Sequence, residues 1–123
     1  MPKVLVTGAT GYIGEHLARS RLAHGDFVRC LVRKSSRTDQ LESLGVELSQ
    51  GDVNDADSMR RAVQGCQVVY HLAGKTAAMK RQELYRANSR GTYQFAQACA
   101  QQTTPPVLIV VSSLAAAGTA PHP

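Results

Sequence analysis

Eight consecutive residues near the start of the chain, Thr7-Gly8-Ala9-Thr10-Gly11-Tyr12-Ile13-Gly14, have the types and spacing to hold an anion. An apolar run, Val4-Leu5-Val6, leads into three glycines spaced three apart, and a helical pattern follows. In that order Gly8 turns the backbone sharply off a strand. Gly11, with no Cβ, lets main chain approach an anion closely, and Gly14 lets the new helix lie against the strand it left. The helix start then offers unsatisfied N–H groups and the positive end of its dipole. Glycines also mark ordinary tight turns. Placed between strand and helix, these residues are expected to cradle the pyrophosphate of a dinucleotide, with Thr7, Gly8, Thr10, Gly11, Tyr12, Ile13 and Gly14 as its contacts.

A second group lies about twenty residues further on. An acidic residue there would bind a ribose 2′-hydroxyl and select NAD. The chain instead has Val32-Arg33-Lys34, with Arg37 beyond and no acid until Asp39. A guanidinium forms paired, charge-assisted hydrogen bonds to a 2′-phosphate, where a carboxylate would repel it. Arg33 and Lys34 therefore favour NADP, with NAD possible if Arg33 only stacks on adenine or faces water. Arg29, Arg33, Lys34 and Arg37 read as one local basic cluster suited to a phosphate-bearing ligand. In Gly51-Asp52-Val53, Asp52 could accept from an adenine amino group while Val53 packs on the ring; equally, Asp52 could cap a turn. Leu72, Ala73 and Gly74 are small residues where backbone would pass a ribose and nicotinamide. Asn88 is a polar amide in an otherwise apolar helical stripe of Leu84, Gly91, Thr92, Phe95 and Cys99. Buried there, it would need a hydrogen-bond partner, and it could fix backbone or water beside a reaction centre or serve structure alone.

These groups are positioned by alternating short apolar runs and longer amphipathic segments. Strands are expected over Lys3–Thr7, Phe27–Val32, Val46–Gln50, Val68–Leu72 and Val107–Val111. Helices are expected over Tyr12–His24, with Ile13, Leu17 and Leu22 inward, and over Asp39–Leu44, Asp55–Gln64 and Gln82–Gln102, with Asn54 or Asp55 capping the third. Apolar strands alternating with helices imply an α/β fold, a Rossmann-type doubly wound parallel sheet of order 3-2-1-4-5 with helices on both faces. Ligands then bind outside the carboxyl ends of the strands, where all the candidate groups fall.

The bulk properties suit one globular domain: 123 residues, 43% hydrophobic and 19% charged. Without a membrane-length apolar stretch or a signal-peptide layout, a cytoplasmic location is expected. Cys30, Cys66 and Cys99 are isolated and set in apolar segments, so they read as reduced core thiols. The four histidines share no ligand spacing, and no metal is expected. A net charge of +5 admits a nucleic-acid surface or an anionic small ligand. The basic residues form no stripe with interleaved aromatics, which disfavours nucleic acid.

The chain resembles the N-terminal part of extended short-chain dehydrogenase/reductases, the NAD(P)-dependent epimerase/dehydratase family. It is most similar there to the dihydroflavonol-reductase-like and 3β-hydroxysteroid-dehydrogenase-like branches. The resemblance is carried by residues 7–14, by Gly51-Asp52-Val53-Asn54-Asp55, Val69-Tyr70-His71-Leu72-Ala73 and Tyr85-Arg86-Ala87-Asn88-Ser89-Arg90-Gly91-Thr92, and by Val111-Ser112-Ser113-Leu114-Ala115-Ala116-Ala117-Gly118. It implies that Asn88 supports a water relay and that Ser113, rather than Ser112, hydrogen-bonds the substrate oxygen. It also implies hydride transfer between a nicotinamide and a carbonyl or hydroxyl compound, such as a sugar nucleotide, a sterol-like alcohol or a flavonol-like ketone.

Such enzymes use a Tyr-x-x-x-Lys pair as acid/base, and no such pair is present: Tyr12, Tyr70, Tyr85 and Tyr93 have no Lys four residues later. Residues 1–123 are therefore expected to be an NAD(P)-binding domain of a longer enzyme, able to bind coenzyme but not to turn over alone. The wholly apolar Val107–Val111 would leave an open sheet edge that could pair with a second copy as a homodimer. A coenzyme-sensing module without chemistry is the alternative, and a downstream Tyr-x-x-x-Lys would discriminate against it.

Overall fold

The computed structural model describes residues 1–74, 79–113 and 118. Five strands, β1 (Lys3–Thr7), β2 (Phe27–Val32), β3 (Glu47–Gln50), β4 (Val68–His71) and β5 (Val107–Val110), form one parallel sheet of order β3-β2-β1-β4-β5. The strand order and parallel pairing are those expected, and each strand end lies within one residue of its expected place.

Alternation along the strands builds a core on each face. On one face Leu5, Leu31 and Val69 pack with Met59, Ala62 and Val63 of α3 (Ala56–Val63) and with Phe95, Ala98 and Cys99 of α5 (Gly91–Ala100). On the other, Val4, Val6, Val28 and Cys30 meet Ala18 of α1 (Tyr12–Ala23) and Leu41 of α2 (Asp39–Leu44). Asp55 rather than Asn54 caps α3: its Oδ1 accepts from Asp57 N at 3.1 Å and Ser58 N at 3.3 Å. Leu17 and Leu22 pack partly against the core as expected, but Ile13 does not, being 66% exposed in the first turn of α1.

The long fourth helix is not uniform. It comprises α4 (Arg81–Tyr85), a π-helical turn over Arg86–Arg90, and α5, with helical dihedrals kept at both junctions. A π-turn winds more residues per turn and shifts the phase of everything before it. Gly91, Phe95 and Cys99 are buried as the expected stripe requires, and Leu84 and Thr92 are half-buried, yet Asn88 lies on the exposed side.

Arg29 departs from the expected basic cluster. It points into the α3 face of the sheet, 9% exposed, pairs with Glu47 at 3.1 Å and donates Nη1 to the carbonyls of Ala62 (2.6 Å) and Gln64 (2.8 Å). Alternation from Leu31 put it there, and the carbonyls at the α3 C-terminus accept its charge. It is a structural cation, unavailable to a ligand.

β5 is the sheet edge, with Val107 62%, Ile109 40% and Val110 44% exposed. Of the Ser112–Gly118 motif, Leu114–Ala117 lie outside the described residues, as does the tail Ala115–Pro123 apart from Gly118. None of the helices described is long and apolar enough to cross a membrane.

Candidate functional site

The cleft at the carboxyl ends of the strands begins with the turn after β1. Gly8 has φ +75°, and a Cβ on it would lie 2.9 Å from Ala73 N and from the carbonyl carbon of Leu72. Only glycine both adopts this conformation and lets the loop touch the end of β4. Gly11 is the N-cap of α1, with its N–H directed to Gly8 O at 3.1 Å and no side-chain cap. Helix geometry therefore leaves the N–H groups of Tyr12, Ile13 and Gly14 without intrahelical acceptors. Among the described residues, a Cβ on Gly11 would have only Gly8 O within 4 Å, at 3.4 Å. Uncapped amides around a cradle that a methyl group would occupy fit a diphosphate.

A cleft of about 490 Å³ extends from this loop. Thr7, Gly8, Thr10 and Gly11 line one wall, Arg33 with Ser36 closes the β2 end, and Asp52 with Val53 follows β3. Leu72, Ala73 and Gly74 form the part beside β4. Tyr12, Ile13, Gly14 and Lys34 do not line it: Tyr12 is 80% exposed, Gly14 is buried against the loop, and Lys34 projects to solvent. Asn88 and Ser113, both exposed, are outside the lining as well. Asn88 nevertheless abuts it, since a Cβ on Gly74 would meet Asn88 Oδ1 at 2.7 Å.

Asp52 caps a turn and also lines the cleft. Its Oδ1 accepts from Asn54 N at 2.9 Å, an Asx turn, while the residue faces the cleft. Gly51 is tightly enclosed, with its position for a Cβ 2.6 Å from Ser58 Oγ. Ser58 in turn accepts from Asp52 N at 3.0 Å and donates to Asp55 O at 2.8 Å, which fixes the loop. Val53 packs beneath Gly91.

Several lining residues were not singled out from the sequence. Ser36 closes a turn with Arg33, its Oγ accepting from Arg33 N at 3.1 Å and its N–H donating to Arg33 O at 3.0 Å. The small-residue pair Ser35-Ser36 between basic residues was the available sign. Glu83, Arg86 and Ala87 line the far wall from α4 and the π-turn. No sequence signal marks a π-turn, so their phase was not accessible.

At the floor, Thr7 and His71 are paired partners in the β1–β4 register. Thr7 Oγ1 lies 2.7 Å from His71 Nδ1, and burial pushes the imidazole below its usual range.

The model of the NAD-dependent epimerase/dehydratase family matches residues 4–123. The chain belongs to that family. It is 42% identical over 115 residues to a putative dihydroflavonol 4-reductase of Synechocystis sp., covering 92% of this chain and 33% of that protein. Among solved structures it is similar to gox2253, with TM-score 0.82, 32% identity and coverage of 94% of this chain and 36% of the other. It is also similar to a Y136A mutant of Agrobacterium tumefaciens uronate dehydrogenase complexed with NAD, with TM-score 0.69, 26% identity and coverage of 92% and 41%. The chain spans about a third of the length of the curated relatives it matches.

Proposed function

We propose that residues 1–123 are the NAD(P)-binding domain of an oxidoreductase or epimerase/dehydratase that acts on a carbonyl or hydroxyl small molecule, with its substrate-binding part and Tyr-x-x-x-Lys pair elsewhere in a longer protein. The observation that carries this is the uncapped start of α1 facing the open cradle at Gly11. The amides of Tyr12, Ile13 and Gly14 bind the diphosphate through main chain, which is why their side chains need not line the cleft. Thr10 adds a hydroxyl at the same rim. Asp52 accepts from the adenine amino group, Val53 packs on the ring, and Leu72, Ala73 and Gly74 leave room for the ribose and nicotinamide.

When bound, a nicotinamide coenzyme supplies or accepts hydride at the substrate carbon. Ser113 donates to the substrate oxygen, where negative charge develops, and Asn88 holds water beside it. The coenzyme is NADP rather than NAD: Arg33, held at the cleft by its turn with Ser36, takes the 2′-phosphate, and Lys34 adds charge from solvent. The bound NAD of the uronate dehydrogenase relative leaves that preference to experiment. Calorimetric titration with NADPH and NADH is the test. NADPH should bind more tightly, and Arg33→Ala should weaken NADPH more than NADH; tighter NADH binding would overturn the preference, and no binding of either would overturn the function. Buried thiols and the absence of disulfides among the described residues suit a reducing cytoplasm. The exposed edge at β5 suits pairing with a second copy, which light scattering would detect as a dimer.

A further inference from the structure

His71 ends β4 directly beside Thr7 at the end of β1, and both side chains are enclosed, at 2% and 0% exposure. Thr7 Oγ1 lies 2.7 Å from His71 Nδ1 and 3.1 Å from each of the backbone nitrogens of Leu72 and Ala73. A threonine hydroxyl has one hydrogen and two acceptor lone pairs. The two amides can only donate, and both are directed to this oxygen, the Leu72 N–H being shared with the more distant Thr7 carbonyl oxygen at 3.3 Å, so they occupy its two lone pairs. One hydrogen is left, and His71 Nδ1 is the acceptor within reach. Nδ1 therefore carries no proton, and the ring is the neutral Nε2–H tautomer.

The other side of the ring makes no comparable bond. Nε2 is buried without a hydrogen-bond partner among the described residues, and the ring lies against Phe95 with centroids 4.8 Å apart. An apolar side chain would fill this space without stranding a polar atom. Among the described residues, the one polar function of the His71 side chain is to accept from Thr7.

That bond governs the cleft. With its hydrogen turned to His71, the Thr7 oxygen is aimed at Leu72 and Ala73. Those are the residues whose backbone sits 2.9 Å from the Cβ position of Gly8. We infer that His71 is a positioning residue for coenzyme binding: it orients the Thr7 hydroxyl so that its oxygen clamps the end of β4 to the glycine loop. This rests on the coenzyme reading of the cleft, although His71 itself touches no ligand.

The test combines a spectrum with a titration. In protein labelled with 15N at histidine, long-range 1H–15N correlations should show His71 as the Nε2–H tautomer. In Thr7→Val, which cannot donate, the Nδ1–H form should become populated. His71→Leu should weaken the tighter-binding coenzyme about tenfold. His71→Asn, whose amide oxygen falls near the Nδ1 position, should bind within about threefold of wild type. His71→Gln, whose amide reaches the Nε2 side instead, should be as weak as His71→Leu and covers the case in which the leucine variant does not fold. Thr7→Val combined with His71→Leu should be no weaker than Thr7→Val alone, because His71 acts only through the hydroxyl that Thr7→Val already removes. A native Nδ1–H tautomer, or wild-type affinity in folded His71→Leu or His71→Gln, overturns this inference alone. Failure of wild type to bind NADPH or NADH overturns the coenzyme reading and this role with it.

Discussion

A Cβ atom on Gly14 would lie 2.1 Å from the carbonyl oxygen of Gly8. The next nearest atoms, Gly8 C at 2.7 Å and Ala9 Cα at 2.8 Å, are also backbone, so no side-chain rotation relieves the contact. Gly14→Ala must push α1 away from the loop that it closes. The expected loss of stability is about 1–3 kcal/mol, with a larger proportional loss of coenzyme affinity because the first-turn amides move together. Urea denaturation and calorimetry measure the two effects. Wild-type stability in Gly14→Ala would show that the helix approaches the loop less closely.

Arg29 offers a contrast, since it is a basic residue whose removal should leave the coenzyme preference alone. Arg29→Met keeps bulk but leaves the carbonyls of Ala62 and Gln64 without their donor. The Glu47 side chain is 41% exposed and can be hydrated, which limits the cost. A destabilisation of about 2 kcal/mol is expected, with the NADPH-to-NADH affinity ratio unchanged. Urea melts and paired titrations check both, and a changed ratio would return Arg29 to the ligand site.

The cysteines should be inert in the folded protein. Burial pushes Cys30 up to about 12 and raises Cys66 and Cys99, the last also through its proximity to Cys66. Thiolate is the reacting form, so a colorimetric disulfide reagent should label none of the three at neutral pH until denaturant is added, then all three. Rapid labelling without denaturant would reveal opening of the sheet near one of them.

Stability should fall in mild acid because of His71. Burial lowers its folded pKa, whereas the unfolded chain takes up the proton near pH ~6.5. Below that value the unfolded state holds more protons, so stability is complete above it and is lost as pH falls toward the folded value. The slope approaches ~1.4 kcal/mol per pH unit for this one group. Urea midpoints measured between neutral pH and mild acid should decline for wild type and decline less for His71→Asn. Parallel declines would assign the effect to other groups.

The parallel sheet was legible because its strands are short, nearly unbroken apolar runs separated by helical patterns, and one such arrangement is favoured by handed crossovers. The glycine loop was legible for a similar reason: Gly8, Gly11 and Gly14 each satisfy a local backbone demand that no other residue type meets. Asn88 was harder. Its helical phase assumed 3.6 residues per turn throughout, whereas Arg86–Arg90 is a π-turn: Asn88 is exposed, although its Oδ1 abuts Gly74, and Glu83 and Arg86 line the cleft. The change of winding leaves no mark in residue type or spacing.

By itself the sequence determined the order of elements, the place of the glycine turn and the family, since these depend on periodicity, glycine spacing and short motifs. Only the tertiary structure decided which polar side chains meet across strands. Arg29 joins β2 to the end of α3, and Thr7 joins His71 of β4, through contacts 33 and 64 residues apart in the chain. Such pairings follow from sheet register and from which face each side chain enters. Both are set by packing the whole core at once, and no local stretch of residues encodes them.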